Sequence, residues 1–422
     1  MKRGIIYKNS FQQTQVKKMN TKTNFMLSGL ILAFLLFGGW LKSNAQEKNY
    51  ISLDNSIDSL LNIGDIVSIS SCIIKEDKII WSKTEGMTDL KKDIPVNPNT
   101  IYMLGSLSKT MTGATLMHIY DQGNFKLDED INNYLPFNIR NPRYPDLPIT
   151  IRMVLTHTSS INDNNEYISS LYGCGDQTDL SFEEYLKNCY DTMGKKYDTT
   201  NFGNYKPGDK WEYCNSNYVL IAYLVEQISK KPFNDYCREN LLASLEMNES
   251  SYLYSELDMA NIAVNYISEE EASLYPEHPR IDHVSIKGKN ATCHYAWPGY
   301  PDGGLHTSIP QFANFIIMLI NEGSFKGKQI LKPETVTLIL TPQDVKNPPE
   351  SSRWSKIDMG LTWWLRESKS ERYFSHGGGG SGVTTFAFFD PEKKIGAIFF
   401  VTGDWHDKHY DAVFFDLFRK YL

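Results

Sequence analysis

Val383-Thr384-Thr385-Phe386-Ala387-Phe388-Phe389-Asp390, then Pro391-Glu392-Lys393-Lys394, then the run from Ile395 to Thr402 reads as two strands and the turn between them. β-Branched and aromatic residues suit a pleated, half-buried surface, and the polar interruption suits a hairpin. A short strand pattern, Arg372 to Ser375, precedes the pair. A matching pair stands at the other end of the chain, where Ile66 to Ile74 and Ile79 to Lys83 flank Lys75-Glu76-Asp77-Lys78. Between the two ends, from about residue 106 to 350, the pattern is helical with irregular Pro, Asn and Gly loops. Strands at both ends and helices between them imply an α+β fold. One antiparallel sheet is built from both chain ends, and a mainly helical lobe is inserted into it. Helical patterns at Ser52 to Leu61 and from about Lys408 to Tyr421 would cover one sheet face. A cleft is expected where sheet and helical lobe meet.

The 422 residues suffice for a large core, and 41% hydrophobic with 22% charged residues is an ordinary globular composition. The first 45 residues differ from the rest. They hold seven basic residues (Lys2, Arg3, Lys8, Lys17, Lys18, Lys22, Lys42) and no acid, with an uncharged apolar stretch from Phe25 to Leu41. A basic lead, an apolar centre and Ser43-Asn44-Ala45 before a cut read as a secretory signal peptide over 1–45, with Met1 or Met19 as its start. A retained N-terminal anchor is the other reading, because the stretch approaches bilayer-spanning length. Residues 46–422 then form the exported domain, periplasmic or anchored at the outer face of the inner membrane. Taking those seven from 43 basic residues leaves 36 against 50 acidic ones, a formal net charge of −14. Such a surface repels phosphate backbones, which argues against nucleic acid as a partner. A membrane partner follows only if the N-terminal segment is retained.

Six cysteines remain, at 72, 174, 189, 214, 237 and 293, with no zinc-site spacing among them. The even count permits pairing in an exported protein, but the spacing assigns no disulfide.

Chemistry is concentrated in three places. The first is Ser106-Leu107-Ser108-Lys109. Residues i and i+3 at a helix start share a face, so a serine hydroxyl and a lysine amine converge there. The hydroxyl becomes a nucleophile only when a neighbour takes its proton, and a lysine serves best when its surroundings lower its pKa. The helix N-terminus also offers N–H groups to a developing oxyanion. Four residues alone fit a capped helix with a solvated lysine equally well. The second place is Pro207-Gly208-Asp209-Lys210-Trp211-Glu212-Tyr213-Cys214-Asn215, ahead of a helical run from Val219 to Ile228. The third is Ser375-His376-Gly377-Gly378-Gly379-Gly380-Ser381-Gly382, expected just after the strand that ends at Ser375. It lacks the Lys-Ser/Thr ending of a phosphate-binding loop and leads into a strand rather than a helix.

Ser-x-x-Lys, followed about a hundred residues later by Tyr-x-Asn after Pro-Gly, resembles the penicillin-binding-protein and class C β-lactamase-like serine hydrolases. Leu155-Thr156-His157-Thr158-Ser159-Ser160 and Gly303-Gly304-Leu305-His306-Thr307-Ser308 resemble two further family segments, with Ser160 where glycine is usual. The resemblance spans nearly the whole chain after the leader. It implies Ser106 as the acylated nucleophile and Lys109 with Tyr213 as its base. Asn215 would orient Lys109 and bind substrate, and the N–H groups of Ser106 and Gly379 would form the oxyanion site. His376, Gly377 and Gly378 would line the substrate. A phenol working as a base needs a nearby cation, which Lys109 supplies.

In the β-lactamases the third motif is Lys-Thr-Gly, which binds the β-lactam carboxylate; here it is the His-x-Gly form of esterase and aminopeptidase branches. The expected activity is therefore hydrolysis of an ester or amide on a small molecule or peptide, with weak β-lactam turnover at most. The same residues serve an acyltransferase that passes the acyl group to an alcohol or amine. A non-enzymatic cell-wall ligand sensor on the same fold would have no need of the base. No cofactor and no metal is required. His157 and His306 are expected in structural roles, and His278, His283 and His294 on a surface loop. Trp297, Trp363, Trp364 and Trp405 fit either a hydrophobic pocket or the core.

Overall fold

The computed structural model describes residues 45–63, 65–176, 179–273, 285–348, 356–367, 371–404, 415–418 and 420–421. The chain divides into two units, Met1–Leu53 and Asp54–Leu422. Helix α1 (Ala45–Ile63) is the described part of the first unit and the start of the second. The apolar leader, His278, His283 and Trp405 lie outside the described residues.

The second unit is organised by an eight-stranded sheet. Its strands are β1 (Asp65–Lys75), β2 (Lys78–Asp89), β3 (Ile94–Pro95), β4 (Lys356–Met359), β5 (Trp364–Glu367), β6 (Arg372–Gly380), β7 (Val383–Asp390) and β8 (Ile395–Asp404). They run in the order β4-β5-β6-β7-β8-β1-β2-β3, so the two ends of the chain meet where β8 pairs with β1. The expected α+β architecture is what forms, and every pair within the sheet is antiparallel. The hairpin expected at Pro391 to Lys394 joins β7 to β8 with Asp390 opposite Ile395.

One sheet face packs on α4 (Ile309–Ile320), whose Phe312 ring lies 6.0 Å from Phe400. The other is covered by residues near both termini. There Phe415 lies 5.3 Å from Phe388 and Phe418 5.9 Å from Trp81, while the Trp81 indole donates to Asp54 at 3.0 Å.

Inside the helical region, α2 (Ser108–Tyr120) and α3 (Ser216–Ser229) pack against each other. Every residue of α3 from Ser216 to Val225 is buried, and so is nearly all of α2. Helices buried on nearly all sides lie at the centre of a domain rather than on its surface. The Ser-x-x-Lys and Tyr-x-Asn segments lie at their N-terminal ends, so central packing brings the two motifs together.

The glycine run departs from its expected place after a strand. It is strand: β6 continues through Gly380, with Gly378 opposite Thr385 and Gly379 opposite Thr384. Glycine is a poor strand former, and pairing with the strongly patterned β7 overrides it. On its other side β6 pairs with β5 only as far as Ser375, so among the described residues the edge from His376 to Gly380 is left open.

A disulfide joins Cys174 to Cys293, a pairing that the sequence left open. Pairing of Gly173–Cys174 with Tyr295–Ala296 brings together thiols 119 positions apart, a proximity that spacing does not reveal. Cys72, Cys189, Cys214 and Cys237 are buried free thiols.

Candidate active site

Ser106 sits in a single 3-10 turn, Gly105–Leu107, that leads directly into α2. Three bonds fix this turn. Leu104 N–H donates to the Leu305 carbonyl at 2.8 Å, the Thr385 hydroxyl on β7 donates to the Leu104 carbonyl at 2.6 Å, and Leu305 N–H donates to Ser108 Oγ at 3.0 Å. The turn therefore rests on both the sheet and the Gly303-Gly304-Leu305 segment. Its approach to β6 requires glycine on both sides. Gly105 has φ +53°, and a Cβ there would stand 2.7 Å from Gly379 N; one on Gly378 would run into the Leu104 carbonyl oxygen. The Ser106 turn and the Gly379 backbone are thus apposed, as an oxyanion site between them demands.

Lys109 is fully buried, and its ammonium has three acceptors: Ser106 Oγ at 3.1 Å, Asn215 Oδ1 at 2.8 Å and the Asp302 carbonyl at 2.7 Å. Three donors meet three acceptors, so the group is satisfied as a cation. It also lies 5.1 Å from the centre of the Tyr213 ring. Burial pushes the Lys109 pKa down, as the sequence reading required. Interactions with Tyr213, Asp302 and Asp163 outweigh burial and hold it above the ordinary lysine value. The lysine is therefore held as a cation between the Ser106 hydroxyl, the Asn215 side chain and the Tyr213 ring.

Asp163 was not singled out from sequence, yet it organises the Tyr-x-Asn segment. Its carboxylate accepts from Asn215 N–H (2.8 Å), Ser216 N–H (2.8 Å), Ser216 Oγ (2.7 Å) and Cys214 Sγ (3.3 Å). An acid at a helix N-terminus satisfies unpaired N–H groups and suits the dipole. No local sequence signal marks Asp163; in the structure Asn215 stands at the α3 N-cap but makes no side-chain cap bond there, its oxygen being taken by Lys109.

Asp302 was also missed. Its backbone holds Lys109, while its side chain is buried and accepts from Trp297 Nε1 at 3.4 Å. Burial raises this carboxyl to about 7, with Lys109 opposing and Asp163 adding to the rise. Nothing in the local sequence marks it beyond its place before Gly303-Gly304.

On the sheet side, His376 is 2% exposed, and its Nδ1 lies 2.7 Å from the Gly377 carbonyl. A carbonyl only accepts, so Nδ1 carries the proton and Nε2 presents a lone pair, buried without a partner. Burial and the charge on Lys109 lower the His376 pKa to about 3, so a neutral imidazole stands where the β-lactamases place a lysine.

His157, expected in a lobe-packing role, lies against Tyr213 with ring centroids 4.4 Å apart. His306 is buried against Tyr254 and bonds the Gly304 carbonyl, a structural setting. His294, expected on a surface loop, is half-buried and tilted against the same tyrosine, ring centroids 5.4 Å apart. Trp297 and Trp363 are core residues, and Trp364 packs edge-on to Trp211, 5.1 Å away. Ser160 adopts φ +61°, which explains the usual glycine, and its hydroxyl accepts from Asn141 Nδ2 at 3.0 Å. Among the described residues no cluster of His, Cys, Asp or Glu is arranged to hold a metal ion.

Comparison with known proteins gives a consistent result. The family model described as Beta-lactamase matches residues 53–413. Protein flp of Staphylococcus aureus (strain N315) is 25% identical over 219 residues, which are 51% of this chain and 40% of that protein. The match thus spans less than half the length of that relative. Among solved structures, the octameric penicillin-binding protein homologue from Pyrococcus abyssi has TM-score 0.68 at 23% identity, covering 84% of this chain and 73% of that one. EstCE1, a hydrolase with promiscuous acyltransferase activity, has TM-score 0.65 at 17% identity, covering 85% and 94%. At these identities the two structures establish a shared fold.

Proposed function

The chain belongs to the beta-lactamase family of serine hydrolases, and on that premise we propose that it is an exported enzyme forming an acyl-enzyme at Ser106 and hydrolysing an ester or amide. One observation carries the reading: a buried Lys109 ammonium donates to Ser106 Oγ and Asn215 Oδ1 beside the Tyr213 ring. A binding protein gains nothing from a buried cation held on a serine hydroxyl.

In the acylation step the Ser106 hydroxyl oxygen attacks the carbonyl carbon, and its proton passes to the oxygen of Tyr213 reacting as the phenolate, since the Lys109 ammonium has no lone pair to take it. The Lys109 cation stabilises negative charge on neighbouring oxygens during the transfer. The tetrahedral oxyanion lies between the N–H groups of Ser106 and Gly379, and the departing alcohol or amine takes the proton. Water, or an acceptor alcohol, then attacks the acyl-serine by the reverse sequence. The open edge of β6 leaves room for an extended acyl group to pair with the strand. A neutral His376 offers a substrate carboxylate no fixed charge, which supports weak β-lactam turnover at most. Export is supported by the N-terminal apolar stretch and the Cys174–Cys293 bond, since disulfides persist in oxidising compartments.

The test is intact-mass detection of acyl-Ser106 across esters, β-lactams and D-Ala-D-Ala peptides. An adduct with an ester in the parent protein, absent in Ser106→Ala, is expected, together with a loss of turnover of about 10³-fold or more. Undiminished turnover in Ser106→Ala overturns the reading.

A further inference from the structure

Tyr213 is held by one residue from both of its chain neighbours. Glu212 N–H donates to the His157 carbonyl at 2.9 Å, and Cys214 N–H donates to His157 Nδ1 at 3.1 Å. Between these bonds the His157 ring faces the phenol ring at 4.4 Å and 30°. His157 is 1% exposed and adopts φ +57°, just past the helix Ile151–Leu155. We propose that His157 is a positioning residue for Tyr213, setting the phenol against Lys109 through this two-bond clamp and the ring contact. The inference rests on the acyl-enzyme reading above.

The clamp requires a neutral imidazole. A backbone N–H only donates, so Nδ1 must present its lone pair and the proton sits on Nε2. A second proton would turn Nδ1 into a donor facing another donor and break the bond to Cys214. Burial, with the charge of Lys109 and the nearby His376, holds His157 well below the usual histidine range, so the accepting form persists. The left-handed backbone adds a selection of its own. Of the non-glycine residues, asparagine tolerates that conformation best, and its side-chain oxygen can also take the bond from Cys214. His157→Asn is thus the conservative variant, and His157→Ala removes the acceptor and the ring.

The experiment is a double-mutant cycle on ester hydrolysis, with kcat and KM measured separately on His157→Ala, His157→Asn, Tyr213→Phe and the pairs. His157→Ala should lower kcat about 10²-fold with KM within about 3-fold, and His157→Asn should recover to within about 10-fold of the parent. In the Tyr213→Phe background both His157 substitutions should cost almost nothing, because the group they position is already gone. Should His157→Ala not fold, the cycle with His157→Asn decides. Full additivity with Tyr213→Phe, or a loss carried by KM alone, overturns the inference. If Tyr213→Phe by itself leaves kcat unchanged, the inference fails because there is no working phenol to position, whereas undiminished turnover in Ser106→Ala sinks the acyl-enzyme reading, so the two failures are told apart.

Discussion

The two walls of the site are built on opposite principles. On the helical wall the Lys109 ammonium is fully partnered and the Tyr213–Asn215 segment is held from behind, by Asp163 below Asn215 and His157 beside Tyr213. On the sheet wall β6 presents almost no side chains from His376 to Gly380, only backbone and one neutral imidazole with an unused lone pair. The first wall fixes where protons go and tolerates little change. The second sets what can lie against the serine, through backbone geometry and the absence of charge. Chemistry and specificity are therefore separable in this molecule, and substitutions on each wall should fail differently.

The sharpest break in that division comes from Gly378→Ala, because a Cβ there collides with the backbone under Ser106. Activity should fall at least about 10²-fold and stability by about 3 kcal/mol, whereas Gly379→Ala, whose Cβ meets nothing within 4 Å, should fold with parental stability. Equal behaviour of the two in kcat and thermal melts would contradict a wall defined by backbone approach. A second measurement probes the helical wall through Asp302. Its folded pKa of about 7 lies above the ordinary 3.8, so the native state holds a proton that the unfolded chain releases between roughly pH 4 and 7. That carboxyl favours folding at low pH and loses its contribution as pH rises through 7. Asp302→Asn should remove this slope, gaining about 3 kcal/mol relative to the parent on going from pH 4 to pH 8. Melting curves of both proteins across that range provide the check. The smallest effect belongs to the sheet wall: His376→Lys should raise acylation by an anionic β-lactam roughly 10-fold over that by a neutral ester. No change in that ratio would mean that charge on β6 is not what limits β-lactams.

Sequence carried the sheet and the reacting groups well. Val383–Asp390 forms with the expected bounds because its aromatic and β-branched pattern is unbroken and the Pro391–Lys394 turn fixes its register. Ser106, Lys109 and Asn215 come together because they stand at the N-terminal ends of two buried helices that pack against each other. What stayed hidden depends on partners far away in the chain. The glycine strand is held by β7, the α3 cap comes from Asp163 fifty-two positions before Asn215, and the His157 bond spans fifty-seven. Asp302 contributes to Lys109 through its carbonyl, an atom every residue has, so its identity gave no hint.

The Cys174–Cys293 bond turns the chain into a ring with two tails. Tyr213, Asn215 and α3 lie within the ring, while Ser106, Lys109 and the glycine strand lie on the tails. A single cut anywhere between the two cysteines leaves the molecule in one covalent piece until a reductant is added. A cut in either tail leaves two covalent pieces without any reductant, held together only by the sheet and its packing.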